Sequence, residues 1–324
     1  MCSFFYVKVV DILKRKIIEV STKGITFDRG YDEFIFSCRA RNLRPATIQF
    51  YDNSMRSIYK FIDPKMPIRD ITKATVDNFI IGCQTELDIK DITIHTYLRA
   101  LKAILYYFMR SGYMEKFHIP LIKYDKPVIE TYSDEEVKLL LKKPNKNKCN
   151  FIEFRNWVIC NVLYATGIRS SNLINLQIKD IDLCNNLISM KTTKNRKPLV
   201  IPITKSLQPI LREYLAIRKG NEEDYLFCSA YGDKISKVAL NGSMRTYNNG
   251  RRVKRTGIHR WRHTFAKQWI LNHGDIIRLQ KILNHSDLDM VRNYVNMFTK
   301  DLQQDFEEFN PLEFVNKKSI KMRK

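Results

Sequence analysis

Apolar residues recur along this chain mostly at intervals of three and four, the spacing that lines one side of a helix. Over residues 27–114 that period dominates. Ile48, Tyr51, Met55, Ile58 and Tyr59 form a broad face behind Pro45, which suits a helix's first turn although Arg44 before it is a poor cap. Further helices are expected near 75–83 and 92–111, the second turning Tyr97, Leu98, Leu101, Ile104, Leu105 and Phe108 toward a core. The period breaks over residues 115–131, where Pro120 and Pro127 resist helix and Lys123 and Lys126 add charge. It resumes after Ser133, whose partner Glu136 completes a capping box, and again over 151–164, with Trp157, Val158, Val162 and Leu163 inward and Gly167 as the stop. Residues 187–190 and 199–203 read as short strands, 206–218 as a helix, 224–229 as a further short strand and 247–257 as a polar, basic approach to the segment that starts at His259. The expected fold is mainly α with a small β-sheet. Its parts are an extension at 1–24, a helical domain at 25–114, a basic linker at 115–131, a mixed α/β domain at 132–298, and a C-terminal docking segment with a basic tail at 299–324.

The chemistry gathers late in the chain. His-Arg-Trp-Arg-His-Thr-Phe-Ala begins at His259, and the 3.6-residue period puts His259 and Arg262 about one turn apart on one face. Trp261, Phe265, Trp269 and Ile270 fill the other side, with Gly274 as a stop. A second helix fits 276–283. After it, Ser286 and Asp289 read as another capping box, so His285 stands just outside a helix N-terminus and Tyr294 two turns into that helix. Upstream, Arg169 follows the Gly167 turn and Lys191 ends the first strand. Guanidinium groups bind phosphate bidentately, imidazoles donate hydrogen bonds or move protons, and a phenol can be a covalent nucleophile. The inventory therefore suits an anionic centre. A zinc site competes for His259 and His263, four residues apart, with His273 or His285 as third ligand. Position 260, however, is Arg where a water-activating motif places Glu, and Arg262 brings a second cation, so no metal is expected.

Charge enlarges that picture. Among 324 residues the formal net charge is +22, which points to a polyanionic partner, and the 44% hydrophobic content suffices for packed cores. No apolar run approaches the roughly 18 residues a membrane span requires, and the first 20 residues, with Lys8, Asp11, Lys14, Arg15 and Lys16, lack the pattern of an export signal. Seven scattered cysteines read as reduced thiols and not as a disulfide framework. Arg41, Arg44, Lys123, Lys126, Lys194 and Arg196 are the candidates for contacts to the phosphates of such a polyanion, with Lys60, Arg99, Lys102 and Arg110 as weaker ones; Arg251, Arg252, Lys254 and Arg255 read as phosphate contacts or solvated charges.

The order Arg169, Lys191, His259-x-x-Arg262, His285 and Tyr294 resembles the catalytic domain of the tyrosine recombinase family, the phage-integrase-like site-specific DNA recombinases. The local text supports it: Ala-Thr-Gly-Ile-Arg-Ser-Ser-Asn-Leu, then His-Arg-Trp-Arg-His-Thr-Phe-Ala, then Leu-Asn-His-Ser with a Tyr nine residues beyond the His. The likeness spans about residues 27–298. It implies a helical core-DNA-binding domain and a mixed catalytic domain forming a C-shaped clamp on duplex DNA. It also implies specific core recombination sites, a homotetramer on two DNA sites, a 3′-phosphotyrosyl intermediate, Holliday-junction exchange, and no metal, cofactor or ATP. An accessory protein that sets direction is left open, and the expected location is cytoplasmic and DNA-associated. Two positions depart from the family pattern: Asn172 stands where a Glu often follows the first arginine, and Asn284 where a Gly often precedes the later histidine. The short extension at 1–24 disfavours an elaborate arm-binding integrase. A type IB topoisomerase and a catalytically silent DNA-binding protein remain the alternatives.

Overall fold

Residues 24–125, 130–190 and 198–284 are described in a computed structural model, and the chain divides into two units between Pro127 and Val128. In the first unit, helix α1 (Phe27–Ala40) is followed by α2 (Pro45–Ile58), a 3-10 turn (Ile68–Asp70), α3 (Lys73–Glu86) and α4 (Asp91–Arg110). α2 begins at Pro45 with Arg44 extended before it and no side-chain cap, because Pro needs no partner for an N–H it does not have. α3 starts earlier than periodicity alone implies: Thr72 and Thr75 close a reciprocal box in front of the first apolar residue. α4, the longest of the described helices, supplies the core, burying Ile94, Leu98, Leu101, Ile104, Leu105 and Phe108. Phe27 stands edge-on to Phe108 at 6.0 Å, and Phe34 edge-on to Tyr51 at 4.8 Å. Residues 115–125 carry no helix. They are held to α4 by Lys102, whose Nζ donates to the Ile119 carbonyl at 2.6 Å while lying over the Tyr106 ring. That ammonium gives one of its three donors to the fold.

The second unit is built around α6 (Phe151–Thr166), which is buried nearly all round. Asn150 caps its start, accepting from the Glu153 N–H at 2.8 Å. α5 (Asp134–Leu141) precedes it, with the expected box: the Ser133 N–H donates to Glu136 at 2.9 Å and the Glu136 N–H to Ser133 Oγ at 3.2 Å. After the short α7 (Ser170–Leu173) comes an antiparallel sheet in the order β1 (Ile181–Asp182), β2 (Leu187–Met190), β3 (Leu199–Pro202). Ile188 pairs with both Ile181 and Ile201, so the middle strand sets the register. Residues 224–229 are not the strand their composition suggests; only isolated bridges form there, Gln177 with Tyr225 and Cys228 with Lys234. α8 (Gln208–Arg218), α9 (Lys237–Gly250), α10 (Ile258–Leu271) and α11 (Ile276–Leu283) complete the described part.

α9 corrects the reading of 247–257 as a mere approach, because the helix runs into that segment as far as Gly250. The helix buries Leu240, Met244, Tyr247 and Asn248, one narrow face among Asn, Gly, Ser and Thr. Arg251 then folds back over the Tyr247 ring at 4.4 Å and pairs with Glu153 at 3.4 Å. Its guanidinium is thus packed within the second unit. Arg155, only 3% exposed, is a second inward cation: Nη1 donates to the Cys228 carbonyl at 2.6 Å and Nη2 to Asn156 Oδ1 and Ser243 Oγ. Burial among neutral acceptors lowers its pKa from the usual guanidinium value.

Candidate active site

The site begins with a glycine. Gly167 ends α6 in the left-handed conformation, φ 59°, and a Cβ there would lie 2.4 Å from Phe265 and 2.9 Å from Leu283. Both the turn and the packing therefore require Gly. The chain leaves this turn through Ile168, buried at 2%, and delivers Arg169 to the start of α7. Arg169 Nη2 donates to the Asn284 carbonyl at 2.9 Å. From α10, Arg262 is 4% exposed and its Nη1 donates to the Gly167 carbonyl at 2.8 Å, while Nη2 donates to the carbonyl of Leu283. Three segments far apart in sequence thus meet at the end of α11, each arginine seated on backbone. A small cluster of Phe265, Ala266, Leu279 and Leu283 fastens α10 to α11 beneath them.

Asn284 takes φ 48° and ψ 51° as the C-cap of α11. That is the left-handed region in which Gly is cheapest and Asn the usual substitute. The departure from the family's glycine is therefore one of side chain and not of backbone, and the group that receives Arg169 is the Asn284 carbonyl. His285 is the next residue.

His259 lies exposed in the first turn of α10, one turn before Arg262. Its ring centroid is 6.5 Å from that of His263. His263 is pushed down to about 4, first by burial and then by its neighbours His259, Arg262 and Arg260, so it is neutral at physiological pH. Among the described residues, no group of three His, Cys, Asp or Glu is placed to hold a metal.

Lys191, His285 and Tyr294 lie outside the described residues, as do Lys126, Lys194, Arg196 and residues 299–324, the segment expected to dock. Of the site residues, the structure brings together Arg169, Arg262 and, one turn along α10, His259. Arg41, Arg44 and Lys123 belong to the first unit. Arg41 is exposed and folds onto the end of α1, its Nε donating to the Ser37 carbonyl at 3.3 Å; Arg44 is half-buried and Lys123 exposed.

Sequence reasoning missed the back of α10. Tyr132, 1% exposed, donates its N–H to Thr264 Oγ1 at 2.9 Å and packs its ring 4.7 Å from Trp261. Buried Asn248 donates to the Tyr132 hydroxyl at 3.1 Å and to the Arg255 carbonyl at 2.9 Å, which fixes the lead-in to His259. The only signal was indirect: Tyr132 stands immediately before the capping box at Ser133.

The sequence pattern of the Phage integrase family matches residues 130–300, more than half of the chain. The chain belongs to the phage integrase family. A second pattern, the phage integrase SAM-like domain, matches residues 31–126. Among phage integrase relatives, the tyrosine recombinase XerD of Staphylococcus haemolyticus (strain JCSC1435) is 24% identical over 304 residues, covering 91% of this chain and 98% of XerD. The tyrosine recombinase XerA of Saccharolobus solfataricus is 26% identical over 291 residues, covering 85% of this chain and 91% of XerA. Of solved structures, the Tn1549 transposon integrase in complex with a circular intermediate DNA superposes with a TM-score of 0.69 at 20% identity, over 87% of this chain and all (100%) of that one. A lambda integrase dimer bound to a COC′ core site gives 0.67 at 15% identity, over 83% and 95%. These likenesses establish a fold that is mainly helical with a small sheet. The phage integrase match at 130–300 contains all six residues of the ordered set from Arg169 to Tyr294.

Proposed function

We propose that this phage-integrase-family chain is a site-specific DNA recombinase, and that Tyr294 is its nucleophile. The phenol oxygen attacks a backbone phosphate, forming a 3′-phosphotyrosyl bond and releasing a 5′-hydroxyl. Arg169 and Arg262 hold the nonbridging oxygens, and His285 donates a hydrogen bond where charge develops. Lys191 protonates the departing 5′ oxygen, and His259 assists proton transfer at the phenol. The phosphotyrosyl bond conserves the energy of the cut strand, so a 5′-hydroxyl from a second duplex reverses the step without ATP and leads through a Holliday junction. Fixed guanidinium groups take the electrostatic role a divalent ion would otherwise fill.

The observation that carries the reading is the convergence of Arg169 and Arg262 on the backbone at 283–284, immediately before His285. Two phosphate-binding forks seated on carbonyls are preorganised, which is what differential stabilisation of a transition state needs. The assembly we envisage is a homotetramer on two core sites, carried by a mobile element and acting in the cytoplasm. Residues 25–114 grip the core site, 115–131 link the domains, 132–298 catalyse exchange, and 299–324 dock on a neighbouring protomer, with an accessory protein to set direction where direction is needed.

Two supercoiled plasmids test the function, one carrying two copies of the crossover site mapped from covalent adducts in adjacent DNA and one carrying none. Exchange on the first is expected. Multiple-turnover relaxation of the site-free plasmid with no exchange would instead make the chain a type IB topoisomerase, and binding without cleavage a silent DNA-binding protein. Salt gives a further check. With +22 and six to ten phosphates contacted, duplex affinity should fall about 10³- to 10⁵-fold between about 50 and 200 mM monovalent salt, for cognate and unrelated DNA alike. Affinity nearly constant over that interval would contradict a phosphate footprint at Arg41, Arg44, Lys123, Lys126, Lys194 and Arg196.

A further inference from the structure

The residues that open the second unit run along the rear of the helix that carries His259 and Arg262. Glu130 pairs with Arg260 Nη2 at 2.5 Å, and Arg260 in turn lies over the Tyr132 ring at 5.8 Å. Arg255 Nη1 donates to the Thr131 carbonyl at 3.3 Å. Tyr132 is bonded to Thr264 and packed on Trp261, and its hydroxyl reaches the Gly257 carbonyl at 3.5 Å. Gln268 donates to Asp134 at 2.8 Å. Residues 260, 261, 264 and 268 share one side of α10, and His259 and Arg262 fall on another. Residues 130–134 are therefore fastened to this helix over nearly its whole length. Tyr132 is a buried anchor, whereas Glu130 is 59% exposed and its partner Arg260 only 16%.

We propose that residues 130–134 form a brace that sets the rotation of α10, with Tyr132 as its fixed point and the Glu130–Arg260 pair as its releasable point, so that Glu130 is a positioning residue for Arg262 and His259. The inference rests on the recombinase reading for its chemical consequence but not for its structural one. Displacement of a catalytic group by a fraction of an ångström to about 1 Å costs up to about 10²-fold in rate. The carboxylate end of the pair is open to solvent, where screening leaves an ion pair little weight in global stability. Releasing the pair should thus alter chemistry while leaving the fold and DNA affinity alone.

The test uses the full chain and Glu130→Gln. Hydrogen exchange of a peptide spanning residues 257–264 is read first, without DNA, and should accelerate with no change in melting temperature. On a nicked suicide duplex carrying the mapped site, single-turnover cleavage should fall about tenfold with unchanged duplex affinity. A methylphosphonate at the scissile position lacks the negative charge that Arg262 holds, so on that duplex the Glu130→Gln defect should shrink severalfold. The charge-exchanged pair, Glu130→Arg with Arg260→Glu, should recover most of the lost rate. Unchanged exchange in 257–264 overturns the brace whether or not the wild type cleaves, while failure of the wild type to cleave its own site bears on the recombinase reading alone. Cleavage by Glu130→Gln at the wild-type rate also overturns it. So does failure of the exchanged pair to recover together with weakened DNA affinity, which would make Arg260 a DNA contact.

Discussion

Tyr294→Phe protein is expected to bind its core site as the wild type does and to form no covalent DNA adduct. The substitution removes one oxygen and nothing else of the ring, so packing and charge are preserved and the lost function is that of the nucleophile. In the proposed chemistry His285 and His259 donate or relay protons, and water attacking the phosphate would leave a free end and not a protein-linked one. The loss is therefore complete and not graded, and recombination falls with it. Denaturing gels of a nicked suicide duplex, with and without protease, measure the adduct directly. A wild-type yield from Tyr294→Phe would overturn the assignment of the nucleophile and leave the arginine pair without its reaction. Tyr294 lies outside the described residues, so the prediction stands on its place nine residues beyond His285 and within the phage integrase match at 130–300.

Elements whose apolar face and punctuation agree were legible from the chain alone. The 276–283 helix is one such case: its apolar residues and the two flanking polar caps, Asp275 and Asn284, specify the same ends. α2 is another, where Pro45 fixes the start before any packing is considered. α9 was missed because its buried face is narrow and the rest of it is Asn, Gly, Ser and Thr, residues with weak helix preference that read as loop. What stabilises it is tertiary: Tyr247 donates its hydroxyl to the Leu140 carbonyl at 2.7 Å, and Asn156 donates to the Ser243 carbonyl at 3.2 Å, both from distant segments. The two-residue β1 could not be read at all, since it exists only as the partner of β2.

The site divides along the same line. Residue types and order named Arg169, His259 and Arg262, and the left-handed Gly167 was legible as a stop because a helix that ends there needs it. Which basic residues are structural was not legible, because a cation's role depends on what lies opposite it. Lys102, Arg155 and Arg251 have the same sequence signature as a phosphate contact, yet each is spent on carbonyls, amides, a ring or Glu153 inside its own unit. Nor does the text reveal that the guanidinium proposed for catalysis at Arg262 is also a structural one.

That double role makes Arg262 the position where substitution should cost most after Tyr294. Two of the five N–H donors a guanidinium carries are given to the Gly167 and Leu283 carbonyls, at a site 4% exposed. Arg262→Ala leaves both carbonyls without that donor, at about 1–3 kcal/mol for each buried group, which should lower the melting temperature of this unit by about 4–24 °C. Its chemical loss would then be mixed with a folding loss. Arg262→Lys separates the two: the ammonium keeps the charge and part of the hydrogen bonding but cannot span two carbonyls and a phosphate as a planar fork does. Cleavage by Arg262→Lys is expected to fall about 10²- to 10³-fold with a smaller change in melting temperature. Arg169→Lys offers the contrast. Arg169 is half-buried and holds the Asn284 carbonyl, so it should lose comparable rate with less stability. Single-turnover cleavage and thermal unfolding of the three variants decide the matter, and cleavage by Arg262→Lys within an order of magnitude of the wild type would show that the fork at this position serves the fold and not the phosphate.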